Sequence, residues 1–463
     1  MERKEELKNR DYYLNRLLSY KDTEPIKVIT GLRRCGKSSL LKLLRQQLIE
    51  NGVTEHQILY ISFEVLQFRD MTFLELYQYI KARMLPDKKM YLILDEIQVI
   101  DRWEETVNSL HTEYDVDIYI SGSNAKLLSS DLSTYLAGRY VELSMLPLSF
   151  TEYIRFHGFT LEEYYAPAGR KRMQIQNTQG NVMPVSDMLD AYLMLGGLPG
   201  AVDFGFDRDR IWTLIDGIYN TVVVRDILEH ENQKKSGERK VTDPVLLKKI
   251  ASFMADSIGS PISVTSIANT LVSGKHLTDR SKQGKPAVAT VQAYVNALTE
   301  CFLFYPVERY DIKGKEYLKT QKKYYIVDPG LRSYLLGYRG IDRGHLIENA
   351  VFLEFQRRGW KISIGKLYDQ EIDFIIEKQE EKAYVQVTQG LFNTETAERE
   401  LKPLRSIRDS FRKIVITEQL TASITEDGIS IVPLTDFLLG ELPDLTIRGD
   451  GSAAIRGDGS CGK

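Results

Sequence analysis

Apolar residues in the first third of the chain fall into short unbroken runs. Ile26 to Thr30, Ile58 to Phe63, Tyr91 to Asp95, Ile118 to Ser121 and Tyr140 to Leu143 read as strands. Runs without polar alternation predict strands buried on both faces, as in a parallel sheet. After the first run, Leu40, Leu41, Leu44 and Leu48 recur at helical spacing. Strand and helix then alternate, so residues 25–150 predict an α/β domain with helical crossovers. A charged helical lead-in precedes it, over 1–24. Residues 151–235 read as a helical lid, broken at Gly196-Gly197-Leu198-Pro199-Gly200 and including a helix from Ile211 to Glu229. Over 236–335, helices Leu246–Met254, Val264–Leu271 and Ala289–Leu303 precede paired strands Tyr305–Tyr310 and Lys323–Val327. A last α/β unit, 340–440, has a helix Leu346–Arg358 and strands Lys361–Ile364, Ile372–Glu377, Ala383–Val387 and Lys413–Thr417. The tail, 441–463, repeats Ile-Arg-Gly-Asp-Gly-Ser and predicts disorder, since it cannot build a core.

The junction between the first strand and the first leucine-rich helix carries the clearest chemistry. Gly31-Leu32-Arg33-Arg34-Cys35-Gly36-Lys37-Ser38-Ser39 fits G-x-x-x-x-G-K-[ST], the Walker A phosphate loop. Glycines permit the backbone angles that turn N–H groups toward a phosphate, and the helix start adds partial positive charge. All nine residues are therefore candidate nucleotide contacts. Lys37 is expected to reach the β- and γ-phosphates of ATP, and the Ser38 hydroxyl to ligate Mg²⁺. The third apolar run ends in Asp95-Glu96. Asp95 is expected to hold Mg²⁺ through water, and Glu96 to orient and polarise the attacking water. A glutamate there argues for hydrolysis over transfer to a substrate hydroxyl. Glu64 ends the second strand and reads as a solvated strand end, the alternative being a contact with the site.

Composition narrows the setting. The chain has 463 residues, enough for two to four domains, with 43% hydrophobic and 27% charged residues. Cys35, Cys301 and Cys461 lack metal or disulfide spacing, which fits a reducing compartment. Cys35 is a candidate reactive thiol. The start is charged without an apolar signal core, and no apolar run reaches membrane-spanning length, so the expectation is a cytoplasmic protein with no membrane partner. The net charge of -3 gives no global push toward nucleic acid. Between Glu231 and Thr290, however, ten Lys and Arg face five Asp and Glu. Three helices followed by a strand pair read as a winged helix-turn-helix, so duplex DNA is one expected partner. The alternative is a winged helix that packs against the ATPase.

Several phrases extend these readings. Leu94-Asp95-Glu96-Ile97-Gln98 with Trp103, Ser121-Gly122-Ser123, Ala137-Gly138-Arg139, Leu146 to Tyr153, Gly196 to Pro199, Asp328-x-Gly330-Leu331 and Glu348-Asn349 stand in order along the chain. Together with the phosphate loop they resemble a family of bacterial and archaeal AAA+-type ATPases. Its members carry a P-loop NTPase domain, a winged helix and a C-terminal domain resembling PD-(D/E)XK restriction endonucleases. The resemblance implies ATP and ADP as ligands, Mg²⁺ as cofactor and a possible homo-oligomer. It makes Ser123 or Asn124 a sensor of the γ-phosphate or the water, the alternative being a turn with an Asn helix cap. It makes Arg139 a candidate for stabilising γ-phosphate charge, in cis or across a subunit boundary. The alternative is a salt bridge fixing the last strand. In the C-terminal domain Glu348 matches the helix acid and Asp373 the metal-binding Asp. The E-x-K tripeptide is replaced by Gln386-Val387-Thr388, which removes a hard Mg²⁺ ligand and the assisting cation. An inactive nuclease domain with a binding or scaffold role follows. Three functions stay open: an Mg-dependent ATPase moving its later domains, a nucleotide-gated DNA-binding regulator, and an ATPase-coupled nuclease.

Overall fold

The computed structural model describes residues 7–128, 138–165, 171–221, 227–228, 241–273, 286–337, 343–391, 394–419 and 424–440. The tail, most lysines and arginines of the basic stretch and the end of the helix expected to reach Glu229 lie outside them.

The first five apolar runs form one parallel sheet. Its strands are β1 (Ile26–Thr30), β2 (Ile58–Ser62), β3 (Met90–Asp95), β4 (Val116–Gly122) and β5 (Tyr140–Ser144), in the order β2-β3-β4-β1-β5. Every residue of β1 and β3 is buried, as unbroken apolar runs require when helices cover both faces. The helix Lys37–Glu50 packs Leu40, Leu41, Leu44 and Leu48 inward on one face. Helices Phe73–Lys81 and Trp103–Glu113 supply Leu76, Ile80, Trp103, Val107 and Leu110 to the core on the other. The lead-in contributes one helix, Asp11–Leu18.

The segment expected to be a helical lid is not wholly helical. Helices Phe150–Phe156, Val185–Leu195 and Arg208–Tyr219 are present. Between the first two lies an antiparallel sheet of β6 (Phe159–Tyr165), β7 (Lys171–Asn177) and β8 (Val182–Met183). Period two explains it. Met173 and Ile175 sit two residues apart and pack toward the core, and Gly180, at a φ of 82°, closes the turn to β8.

Helices Pro244–Asp256, Val264–Ser273 and Val288–Glu300 precede a hairpin of β9 (Phe304–Asp311) and β10 (Glu316–Ile326). The strand pairing expected between Tyr305–Tyr310 and Lys323–Val327 is present, with Tyr325 opposite Tyr305. The boundary expected after residue 335 does not divide the sheet. β9 pairs in parallel with β11 (Lys361–Leu367), Gly365 facing Tyr310. The hairpin thereby joins β12 (Gln370–Lys378), β13 (Glu381–Thr388), β14 (Arg412–Thr417), β15 (Ile424–Glu426) and β16 (Ile429–Pro433) in one eight-stranded sheet, ordered β10-β9-β11-β12-β13-β14-β16-β15. An open hairpin edge has unpaired N–H and C=O groups, and β11 satisfies them. The helix Arg343–Arg357 covers one face of this sheet and Thr394–Ser406 the other. One apolar cluster runs without a break from Leu40 through Leu193, Leu247 and Val295 to Phe352 and Phe374. Among the described residues no helix is long and apolar enough to cross a membrane.

Candidate functional site

Strand register brings the Walker A loop and the two acids together. Leu94 of β3 faces Ile120 of β4, while Ile29 and Thr30 of β1 face Ser121 and Gly122. Asp95, Ser121 and the loop leaving Thr30 therefore share the carboxyl edge of the sheet, where open α/β sheets bind ligands. Residues 31 to 36 turn from β1 into the helix Lys37–Glu50, and Gly31, Arg34 and Gly36 take φ values of 145°, 69° and 106°. A β-carbon on Gly31 would stand 2.1 Å from the Met145 carbonyl oxygen, so only glycine passes. Gly36 caps the helix with no side-chain bond to its first-turn N–H groups, an arrangement open to an anion.

Lys37 is 3% exposed, and its Nζ donates to the carbonyl oxygens of Gly31 at 3.0 Å and Leu32 at 3.3 Å. The ammonium is 3.5 Å from Glu96 Oε1. Asp95 accepts hydrogen bonds from Ser121 Oγ at 2.5 Å and Tyr60 Oη at 3.0 Å, and also from Ser38. Burial pushes the Asp95 carboxyl above its usual value, against these donors and with the Glu96 charge adding to the rise. A divalent cation between Ser38 and Asp95 would reverse that and favour the carboxylate. Glu96 adopts a φ of 58°. Its N–H donates to Ser121 Oγ at 3.0 Å, and its Oε2 accepts from Gln98 Nε2 at 2.6 Å and Ser123 Oγ at 3.0 Å. Burial raises the Glu96 carboxyl, but Lys37, Gln98, Ser123 and Arg33 outweigh it and hold it below the usual range. Two adjacent buried acids are thus pushed in opposite directions.

Comparison with known proteins agrees with this geometry. Residues 23–154 match an AAA domain family, and residues 186–342 match a domain of unknown function, DUF8612. An uncharacterized protein of Haemophilus influenzae is 35% identical over 433 residues, covering 93% of this chain and 98% of its own length. The chain belongs to this family of AAA-domain proteins. The uncharacterized protein MJ1544 of Methanocaldococcus jannaschii is 27% identical over 432 residues, covering 89% of this chain and 88% of that protein. Among solved structures, a Walker-type ATPase of Pyrococcus abyssi aligns with a TM-score of 0.45 at 15% identity, over 71% of this chain and 95% of that one. The Aeropyrum pernix Orc1 protein, solved in complex with DNA, aligns with a TM-score of 0.30 at 12% identity, over 71% of this chain and 92% of that one.

The AAA domain gathers some expected residues and separates others. Ser123 reaches Glu96, whereas Asn124 places its carbonyl oxygen as acceptor for Leu127 N–H at 3.0 Å, beginning a short helical turn. Leu32 and Cys35 are buried under the loop, Ser38 and Ser39 are half-buried, and Arg34 is exposed. Burial pushes the Cys35 thiol up, so the expected reactive thiol is corrected to an inert one. Arg33 pairs with Glu64, which makes that strand end a neighbour of the loop. Arg139 is not brought to the loop. It precedes β5, whose Tyr140 faces Ile26, so it lies at the amino edge of the sheet, about 13 Å of strand away. Its Nη1 donates to Asn108 Oδ1 at 3.3 Å. A contribution in cis is excluded by that position.

Sequence reasoning overlooked Ser121, Gln98 and Arg10. Ser121 bridges Asp95 to the Glu96 backbone. Gln98 seats over Gly122, where a β-carbon would stand 2.6 Å from its Oε1. The phrases Asp95-Glu96-Ile97-Gln98 and Ser121-Gly122-Ser123 contain both signals, yet neither spacing announces the contact. Arg10 donates to the Cys35 carbonyl at 2.9 Å and forms a buried two-bond pair with Glu152 at 3.0 and 2.7 Å. The Gly196-Gly197 turn is a structural joint: Gly197 N–H donates to Asp328 Oδ2 at 2.6 Å, and a β-carbon on Gly196 would stand 2.1 Å from Asp328 Oδ1.

Proposed function

We propose that this protein binds ATP with Mg²⁺ at the loop Gly31 to Ser39 and hydrolyses it. The turn Gly31 to Ser39, which opens the helix Lys37–Glu50, cradles the phosphates with backbone N–H groups, although that of Cys35 already donates to the Leu32 carbonyl at 3.3 Å. Lys37 exchanges its loop carbonyls for phosphate oxygens. Ser38 and Asp95 hold the Mg²⁺, which supplies charge neutralisation when bound. Glu96 orients the attacking water, and Ser123 sets the carboxylate. The observation that carries this reading is the buried Glu96 carboxylate, held low beside the Lys37 ammonium and joined to Asp95 through Ser121. A general base at that place supplies about 10²- to 10⁴-fold.

The loop lies close to the turn at 197–199 that leads to the later domains. A β-carbon at Gly36 would stand 3.8 Å from Pro199 Cγ, and the neighbouring Gly197 is bonded to Asp328 at the end of the β9–β10 hairpin. This supports movement of the winged-helix and C-terminal regions with nucleotide state. Arg139 would act on the phosphates only from a neighbouring copy. The DNA reading rests on the local charge excess and the winged-helix pattern read from the sequence. Basic residues 234–240 and 275–285 lie outside the described residues, and the helix Val288–Glu300 has neither lysine nor arginine.

The test is ATP hydrolysis by wild type beside Glu96→Gln, with and without duplex DNA. The expected outcome is loss of about 10³-fold in turnover with ATP binding retained. Equal turnover in both proteins would sink the assignment of Glu96. Stimulation by DNA would establish DNA as the coupled partner.

A further inference from the structure

The likeness of the last α/β unit to metal nucleases implies a divalent cation between Glu348 and Asp373. The structure does bring these acids together, from the helix Arg343–Arg357 and from β12, and adds Glu371 of β12. The residues present do not fit a metal. Lys323 of β10 is 2% exposed and points its ammonium into the cluster. Its Nζ lies 2.7 Å from Glu371 Oε1, 3.2 Å from Glu348 Oε1 and 4.0 Å from Asp373 Oδ1. Other donors take up much of what remains. Tyr325 Oη donates to Glu348 Oε1 at 2.7 Å, and Val387 N–H to Asp373 Oδ2 at 2.8 Å. Gln386, in the position of a ligand, accepts from Asp373 N–H at 3.4 Å and donates to Glu400 Oε2 at 3.2 Å.

Cations of the chain itself face these acids. Burial lowers Lys323, and Glu348, Asp373 and Glu371 more than reverse this, so the ammonium stays charged. Burial, with Glu348 adding, raises the Asp373 carboxyl well above its usual value, against the pull of Lys323. A second cation of the chain, Arg309, lies 3.8 Å from Glu371 Oε2. The backbone places the lysine. Lys323 and Tyr325 are two apart on one face of β10, just after the register shift between Leu318 and Lys323.

We propose that Lys323 stands in for a divalent cation: its ammonium closes the Glu348–Glu371–Asp373 cluster, fastens the β9–β10 hairpin to the C-terminal sheet, and leaves a cation site that opens only when the lysine is removed. The C-terminal unit is then a metal-free joint and not a metal-dependent nuclease. This inference is independent of ATP hydrolysis.

The experiment uses the full chain without nucleotide, as wild type, Asp373→Asn, Lys323→Met and Lys323→Met/Glu371→Gln. Thermal midpoints and Mn²⁺ binding by electron paramagnetic resonance are read with EDTA or millimolar Mn²⁺. Wild type should show no Mn²⁺ site that Asp373→Asn abolishes. Lys323→Met in EDTA should melt lower by roughly 5–10 °C, the cost of breaking a buried ion pair. Mn²⁺ should restore much of that loss and occupy a site absent from the double variant. A wild-type Mn²⁺ site lost in Asp373→Asn would overturn the proposal. So would a Lys323→Met protein that melts like wild type or takes up no Mn²⁺. If Lys323→Met is insoluble, soluble yield of Lys323→Gln reads the same balance: recovery on adding Mn²⁺ supports the stand-in, and no recovery overturns it.

Discussion

Lys37 and Lys323 are two of the lysines that the protein buries beside carboxylates, and they are satisfied in different ways. Lys37 rests on two neutral loop carbonyls at 3.0 and 3.3 Å, with its carboxylate partner Glu96 at 3.5 Å. Lys323 meets Glu371 at 2.7 Å and Glu348 at 3.2 Å, with Asp373 beyond. Neutral carbonyls are partners that a phosphate can displace, because an anion offers a charge-assisted bond in their place. Two close carboxylates are not, since removing the ammonium leaves uncompensated buried charge. Burial alone therefore says nothing about whether a lysine is a ligand-binding group. The nature of its existing acceptors decides, and by that measure the first cluster can admit an anion while the second is closed.

Ways to break this contrast differ in size. The largest expected effect is at Lys37. Lys37→Ala should weaken ATP binding by about 10- to 100-fold, the loss of hydrogen bonds to a charged group, as read by calorimetry. Unchanged affinity would make Lys37 a closed lysine like Lys323. Gly122→Ala should be next. Its β-carbon would enter the space of Gln98 Oε1 at 2.6 Å and displace a donor to Glu96. Turnover should fall by roughly tenfold with ATP affinity kept, one lost bond to a carboxylate. If turnover holds, Gln98 does not position the acid.

The smallest effect concerns a closed pair beside the loop. Arg10, with Ser149 and Arg357, overcomes burial and pushes the Glu152 carboxyl down to about 2. A carboxyl lowered on folding adds stability that is fully present above its unfolded value. That stability is lost as pH falls from about 4.5 toward 2, on the order of 3 kcal/mol at 1.36 kcal/mol per unit. Denaturant midpoints measured across this window should decline in wild type. Glu152→Gln should start lower at neutral pH and lose the part of the slope due to this group. An unchanged slope would remove Glu152 from the account.

Much of the ATP site was legible in the chain. The Walker A loop, its flanking strand and helix, and the Asp95-Glu96 pair are local patterns, and the structure puts them where a parallel sheet must. Ser121 was passed over because its partners, Asp95 and the Glu96 backbone, lie across a strand pairing and not along the chain. Arg139 was misplaced for the complementary reason: a short phrase before a strand says nothing about which edge of the sheet that strand end occupies. The β6–β8 sheet was missed because the helices flanking it dominate the pattern of that region.

The sequence by itself determined the unbroken apolar strands, the leucine face of the first helix, the glycine turn and the acids at a strand end, since each depends on neighbours within a few residues. Only the tertiary structure decided that the hairpin and the last unit share one sheet, that Glu64 meets Arg33, and that Lys323 fills the space between Glu348 and Asp373. These outcomes depend on which strand edges pair and which buried charges find partners. Residues 25 and 50 apart set the charge of the second cluster, and no periodicity along the chain records such a meeting.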